Sequence, residues 1–457
     1  MTISMNHIFN SLRSQGLRPS VKRGMAMTVL AVAAVACSTE KILDVQDPDV
    51  ATPASLEALN ALPVVHAGAI GDFQVAYSGN TGAEGQINMA GLFTDELLFA
   101  ETFPTRLEVE KRAIQEQNST MTQIMRDIQK ARGSANFASA KFEVAAPNDV
   151  RRAETMNLAG FAIVIMAENY CSGVPLSSLT DAGDIVLGLP RTTAQLLDDA
   201  ISKFDSAIAQ AAKSTGATAT NMTNLARVGR GRALLNKGDF AGAAAAVAAV
   251  PTTFRYDIFS SAGTNRQNNG VWYWQRTSNR WSVSNREGIN GLPYVSDADP
   301  RVPTAPAGRV GFDGATPIIF QNKYPLKESP TPLATGVEAR LIEAEAALKA
   351  NNTAGYLTAL NAARAGQGQA ATTLPLSASA QVDQLFKERA YSLWLTSHRL
   401  GDMRRLVRQY SRAQNTVFPS GAYPAPIGGT YGDDVNFIIP FDEKNNNNFQ
   451  GCLDRSA

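Results

Sequence analysis

The sequence predicts a mainly α protein, an array of helical hairpins interrupted by one loop-rich insertion with a few short strands. Three observations carry this. Apolar residues recur at helical spacing over most of the chain, as in Leu196, Leu197, Ile201, Phe204 and Ile208. Helical stretches come in pairs joined by tight turns, of which Gly238-Asp239 is the plainest. From about residue 252 to about residue 333 the helical period disappears, and Gly, Asn, Ser, Pro and aromatic residues take over.

The first 36 residues read as a signal peptide. Lys22 and Arg23 precede an apolar run from Met25 to Ala36, and Ala34, Val35 and Ala36 lead into Cys37. That order predicts cleavage before Cys37 and lipidation of its thiol, although Ala34 stands where Leu is usual in a bacterial lipobox. The apolar run is shorter than the roughly 20 residues that span a bilayer. Residues 37–51 are short, polar and acidic, and predict a tether. Removing residues 1–36 takes four basic residues and no acid, leaving 38 basic against 41 acidic. Such a balance gives no electrostatic footprint for nucleic acid.

The folded domain is expected over residues 52–457. Thr52-Pro53 reads as a helix start, with Pro63 expected to kink or split the helix that follows. Leu92 to Leu98 and Thr105 to Arg132 continue as helix. Arg151 to Cys171 is a helix in which Gly160 would let a neighbour approach closely, and Gly173-Val174-Pro175 ends it. Thr192 to Lys213 and Met222 to Lys237 follow, then Gly238-Asp239 and an Ala-rich helix from Ala241 to Val250. This is the layout of a tetratricopeptide unit, with Gly231 and Ala243 where paired helices need small residues. Val337 to Ala350 and Thr353 to Ala365 repeat the pattern, so hairpins are expected at about 151–250 and 337–410. In the insertion, Val271 to Trp274 and Ser282 to Ser284 read as short strands. Leu376 to Arg408 returns to helix, and the tail from Pro419 is irregular. Cys171 and Cys452 are the pair left beside Cys37; spacing leaves open a disulfide or two free thiols.

The C-terminal helices carry a more specific signal. Glu388-Arg389, Leu393-Trp394 and the run His398-Arg399-Leu400-Gly401-Asp402-Met403-Arg404-Arg405 resemble the late signature of the SusD/RagB family. Ser392, Thr396 and Ser397 depart from it, replacing Glu, Glu and Gly. Asp299-Pro300-Arg301 is similar to the family's D-P-R turn, and Phe437 to Glu443 to its closing motif. From the residues alone, Arg399 and Asp402 stand at i and i+3 and can pair, which reads as structural; Asp299 and Arg301 share that reading. The resemblance implies a lipid-anchored protein on the surface of a bacterial outer membrane. It would take an oligosaccharide or peptide to a SusC-like TonB-dependent transporter, without cleaving it and without a cofactor.

A sugar ligand calls for flat apolar faces flanked by amides and charges. The sequence offers Trp272, Tyr273, Trp274 and Trp281, with Asn279 and Arg280 alongside, as ligand-binding candidates. Asp95-Glu96 with Phe99 and Phe103 is a second candidate. No H-E-x-x-H, Cys/His cluster, G-x-S-x-G or P-loop is present, so neither a metal site nor an enzyme is expected. The rival reading is a tetratricopeptide-type scaffold lipoprotein for protein assembly, which would have no need of an exposed aromatic cluster.

Overall fold

The computed structural model describes residues 61–179 and 184–457. The expected signal peptide, Cys37, the tether and the helix start at Thr52-Pro53 lie outside these residues. Helix α1 spans Leu62–Ser78 with Pro63 in its first turn. There a missing N–H costs nothing, so Pro63 opens the helix rather than kinking it. Helix α2, Gly85–Phe93, leads into strand β1, Leu97–Phe99. The helix expected over Leu92 to Leu98 is therefore corrected. The chain leaves α2 at Thr94, whose hydroxyl donates to the Ala90 carbonyl at 2.8 Å, and β1 finds a strand partner later in the chain.

The helix expected from Thr105 is likewise two: α3, Pro104–Glu110, and α4, Ser119–Ala145. Arg112 turns between them at φ 55°, and the Asn118 side chain caps α4 by accepting from Met121 N–H. Helix α5 spans Arg151–Asn169. Four two-residue strands follow: β2 (Val174–Pro175), β3 (Ser178–Leu179), β4 (Ile185–Val186) and β5 (Pro190–Arg191). Helix α6, Thr193–Ala211, starts with a reciprocal capping box between Thr192 and Gln195. Helices α7, Ala217–Lys237, and α8, Phe240–Val247, form the expected hairpin. Gly238 takes the left-handed conformation and Asp239 caps α8 through Gly242 N–H. A Cβ on Gly231 would come within 2.5 Å of Val247, so this pair does need a glycine at its crossing.

The insertion holds β6 (Arg255–Ile258), α9 (Gly270–Arg276), β7 (Trp281–Val283), β8 (Thr304–Val310), β9 (Pro317–Gln321) and β10 (Thr331–Thr335). The strands make antiparallel pairs β1–β7, β2–β5, β3–β4, β6–β10 and β8–β9. Segment 271–274, expected as strand, is the helix α9. Asn269 accepts from Trp272 N–H at 3.1 Å and so nucleates a first helical turn. The chain closes with α10 (Gly336–Lys349), α11 (Thr353–Ala365), α12 (Ala378–Ser392) and α13 (Arg399–Tyr410). Helices α4 to α8 pack each on the next, α8 packs on α10, and α10 on α11. The last hairpins share an apolar core of Leu341, Tyr356, Leu360, Leu385 and Phe386. Among the described residues no helix is long and apolar enough to cross a membrane.

The ion pairs expected within α13 form differently. Arg399 and Asp402 do not bond each other. Arg399 grips Asp95, at the α2–β1 turn, through two hydrogen bonds of 2.7 and 2.9 Å. Asp402 accepts from Arg389 of α12 at 2.8 and 2.9 Å and lies 3.0 Å from Arg405, which also bonds Glu345 of α10. All these side chains are buried, and in the interior a full charge takes the partner that best completes its shell rather than the neighbour one turn away. Arg404 donates to the carbonyls of Ala167, Glu168 and Tyr170, so its cation closes the C-terminal end of α5. Arg301 bonds Asp299 at 2.7 and 2.9 Å and Glu388 at 2.5 Å, tying the D-P-R turn to α12. Cys171 and Cys452 are bridged, with Cα atoms 5.7 Å apart, and fix the tail beside the end of α5.

Candidate functional site

The four aromatic residues singled out in the sequence do not form one platform. Trp281 is fully buried and Trp274 nearly so, with its indole N–H donating to the Ala83 carbonyl. On helix α9, Trp274 and Gln275 face inward while Trp272 and Tyr273 are half-buried. The expectation that Trp274 and Trp281 meet a ligand is thus corrected: both are core, because the largest apolar faces gain most from leaving water. Asp95 and Glu96 are also buried, the first against Arg399 and the second accepting Leu395 N–H. Asn285 is occupied by the backbone of Val295 and Ser296.

The structure assembles another aromatic surface from three distant segments. Backbone hydrogen bonds lace residues 100–103, 279–280 and 311–313 together: Ala100 N–H to the Arg280 carbonyl, Phe312 N–H to the Asn279 carbonyl, and Asp313 N–H to the Ala100 carbonyl. Asn279 turns at φ 52° to allow this. Gly311 is needed because a Cβ there would lie 2.4 Å from the Ala100 carbonyl oxygen.

On this frame the Arg280 guanidinium lies 4.2 Å from the Phe312 ring centre and 4.9 Å from that of Phe103. Arg106 continues the stack, 4.9 Å from both Phe103 and Trp274. Glu101 holds both cations, accepting from Arg280 at 2.5 Å and from Arg106 at 3.1 Å. Burial raises the pKa of Glu101, and the two guanidiniums oppose that. Arg106 also bonds Glu84, so two cations face two carboxylates. Phe103 is 47% exposed and Phe312 56%, a high figure for rings held in place by stacked cations. Beside them Arg276 and Arg309 stack on Phe320 at 4.5 and 5.1 Å.

The arrangement offers two wet aromatic rings with rigid N–H donors between them. It suits a ring with an apolar face and a hydroxylated rim. Of the sequence candidates, Arg280 and Asn279 belong to this surface, Trp274 supports it from beneath, and Phe103 came from the second candidate. Phe312, Glu101 and Arg106 were missed. Among the described residues no group of three or more His, Cys, Asp or Glu is placed to hold a metal ion.

No protein-family profile matches the chain, and no curated protein does. Solved structures match over most of its length. A SusD-like carbohydrate binding protein from Bacteroides vulgatus has 15% identity and a TM-score of 0.62, covering 86% of this chain and 97% of its own. A SusD/RagB family protein from Bacteroides thetaiotaomicron has 15% identity and a TM-score of 0.56, covering 83% and 93%. A chitin-binding protein has 14% identity and a TM-score of 0.58, covering 84% and 94%. The chain therefore has the SusD-like fold, mainly helical with a few short strands.

Proposed function

We propose that this protein is a SusD/RagB-type lipoprotein of the bacterial outer membrane. On this reading it captures a saccharide at the Phe103–Arg280–Phe312 surface and passes it to a SusC-like transporter. The observation that carries the reading is that surface, on a fold shared with proteins described as binding carbohydrate and chitin. Binding without turnover agrees with a site whose acids are each committed to an arginine. Lipidation at Cys37 would hold the domain at the membrane.

A glycan array identifies the saccharide, and calorimetry then compares wild type with Phe103→Ala/Phe312→Ala. Two lost stacking faces, each contributing about 0.5–1.5 kcal/mol, reduce affinity by about 5-fold to 150-fold with the melting temperature unchanged. Undiminished binding in the double variant would reject this surface as the site. Purification of the lipidated protein from its own membrane tests the transporter: a stoichiometric β-barrel receptor is expected, and soluble partners alone would favour the scaffold reading.

A further inference from the structure

We propose that a second cleft, between β6, β10 and the start of α10, binds a hydroxylated carboxylate of monosaccharide size, in chemical terms a sugar acid. This does not depend on the function proposed above. The cleft holds about 210 Å³. That is below the roughly 300–1,000 Å³ of sites for drug-sized ligands, so it takes one ring and not a chain.

Its walls combine the apolar surfaces of Phe254, Pro332, Leu333 and Leu393 with the hydroxyls of Thr252, Thr253 and Ser392. The charge lining it is one-sided. Glu338 is spent on Arg232, at 2.7 and 3.2 Å, and on His398 at 3.1 Å. Arg255 is spent on Asp257 at 2.8 Å. Lys323 remains. Among the described residues its hydrogen bond goes to the Trp394 carbonyl, which leaves two N–H groups for a ligand.

Gln367, also in the lining, donates to the Ser392 carbonyl at 3.2 Å and fixes that wall of the cleft. The Thr252 and Thr253 hydroxyls, each able to donate and accept, are the lining groups that would meet a ligand hydroxyl. An ammonium for a carboxylate and threonine hydroxyls for ring hydroxyls define a hydroxy acid. A phosphoryl group fits less well. The start of α10 is already filled, with Gly336 N–H on the Phe254 carbonyl and Glu338 N–H on the Thr335 hydroxyl.

Burial holds the Lys323 ammonium at about 7. The groups around it are Glu96 before β1, Arg255 and Asp257 on β6, and Glu338 and His398 across the cleft. A bound carboxylate would favour the charged form and draw in a proton.

Calorimetry of the full chain with galacturonate and with neutral galactose tests this. Galacturonate binding is expected, with affinity about tenfold lower in Lys323→Gln, the loss of one charge-assisted bond, and unchanged in Phe103→Ala/Phe312→Ala. At about pH 8, buffers of different ionisation enthalpy should reveal proton uptake by the wild type on binding, a readout that stands even where Lys323→Gln fails to fold. Absence of binding, equal binding of galactose, unchanged affinity in Lys323→Gln, or binding without proton uptake would each overturn the proposal.

Discussion

Phe204 of α6 is fully buried between two glycines on neighbouring helices. A Cβ on Gly160 of α5 would lie 2.8 Å from its ring, and one on Gly229 of α7 2.3 Å. The ring also meets Phe161 edge to face at 5.1 Å. Three helices therefore close on one aromatic side chain, and two residues lack a Cβ to make that possible. Gly229→Ala sets two effects against each other. Helix propensity favours Ala by about 1 kcal/mol, and overpacking costs about 1–3 kcal/mol. With a ring that has no room to move, overpacking should win. The variant is expected to lose stability in urea unfolding, and Phe204→Leu should recover part of the loss. A more stable Gly229→Ala would show that the helices can part freely. The role of Gly160 is legible in the sequence because a glycine inside a periodic helix has few other uses. Ser397 is legible only by comparison: it stands where the SusD/RagB signature has Gly and takes φ 62°, a left-handed backbone that a glycine adopts without strain. The other two departures, Ser392 and Thr396, both line the cleft beside Lys323.

At the scale of elements, long helices were readable and short apolar segments were not. Helices α5, α6, α10 and α11 lie where periodicity and caps place them, while α7 ends at Lys237 as expected but starts at Ala217 rather than Met222. Leu97–Phe99 and residues 271–274 exchanged types, strand for helix and helix for strand, because three or four residues do not define a period. The binding surface was only partly readable for a related reason. Phe103, Arg280 and Phe312 are far apart in sequence and meet through loop backbone, whereas the Trp residues stand out in the sequence because they are clustered there. Trp281 pairs with Phe99 across β1–β7 and packs 6.1 Å from Trp274. Trp281→Ala is therefore expected to destabilise the fold by about 3–5 kcal/mol. Calorimetric unfolding separates the two classes of aromatic residue: a large drop in melting temperature for Trp281→Ala and almost none for Phe312→Ala. Equal melting temperatures would return Trp281 to the surface.

At the scale of the whole molecule, buried ions join α13 and the residue before it to the α2–β1 turn and to α7, α10 and α12. Arg399 reaches Asp95, His398 and Arg232 share Glu338, and Asp402 lies between Arg389 and Arg405. Burial alone would raise both acids, yet the surrounding cations hold Asp402 at about 2 and Glu338 at about 2. Folded values below the unfolded ones of 3.8 and 4.5 mean stability that is present above about pH 4.5 and lost as pH falls through about 2. Each group contributes on the order of 2–3 kcal/mol on this count. Glu96 runs the other way. Burial lifts it from 4.5 to about 8, so its contribution is complete below pH 4.5 and declines as pH rises through 8. Burial also pushes Glu110 and Glu287 well above the carboxylate range. Lys323, held at about 7, gives back stability only above that pH. The signs together place maximal stability in the weakly acidic range, with losses toward pH 2 and toward pH 8. Urea unfolding across that range should show a peak near pH 4–5, and Asp402→Asn should flatten its acid side while lowering the whole curve. A peak above pH 8 would mean that Glu96, Glu110 and Glu287 ionise freely in the folded protein, and an acid side left unchanged in Asp402→Asn would mean that the ion network around α13 is not the lock that holds these helices together.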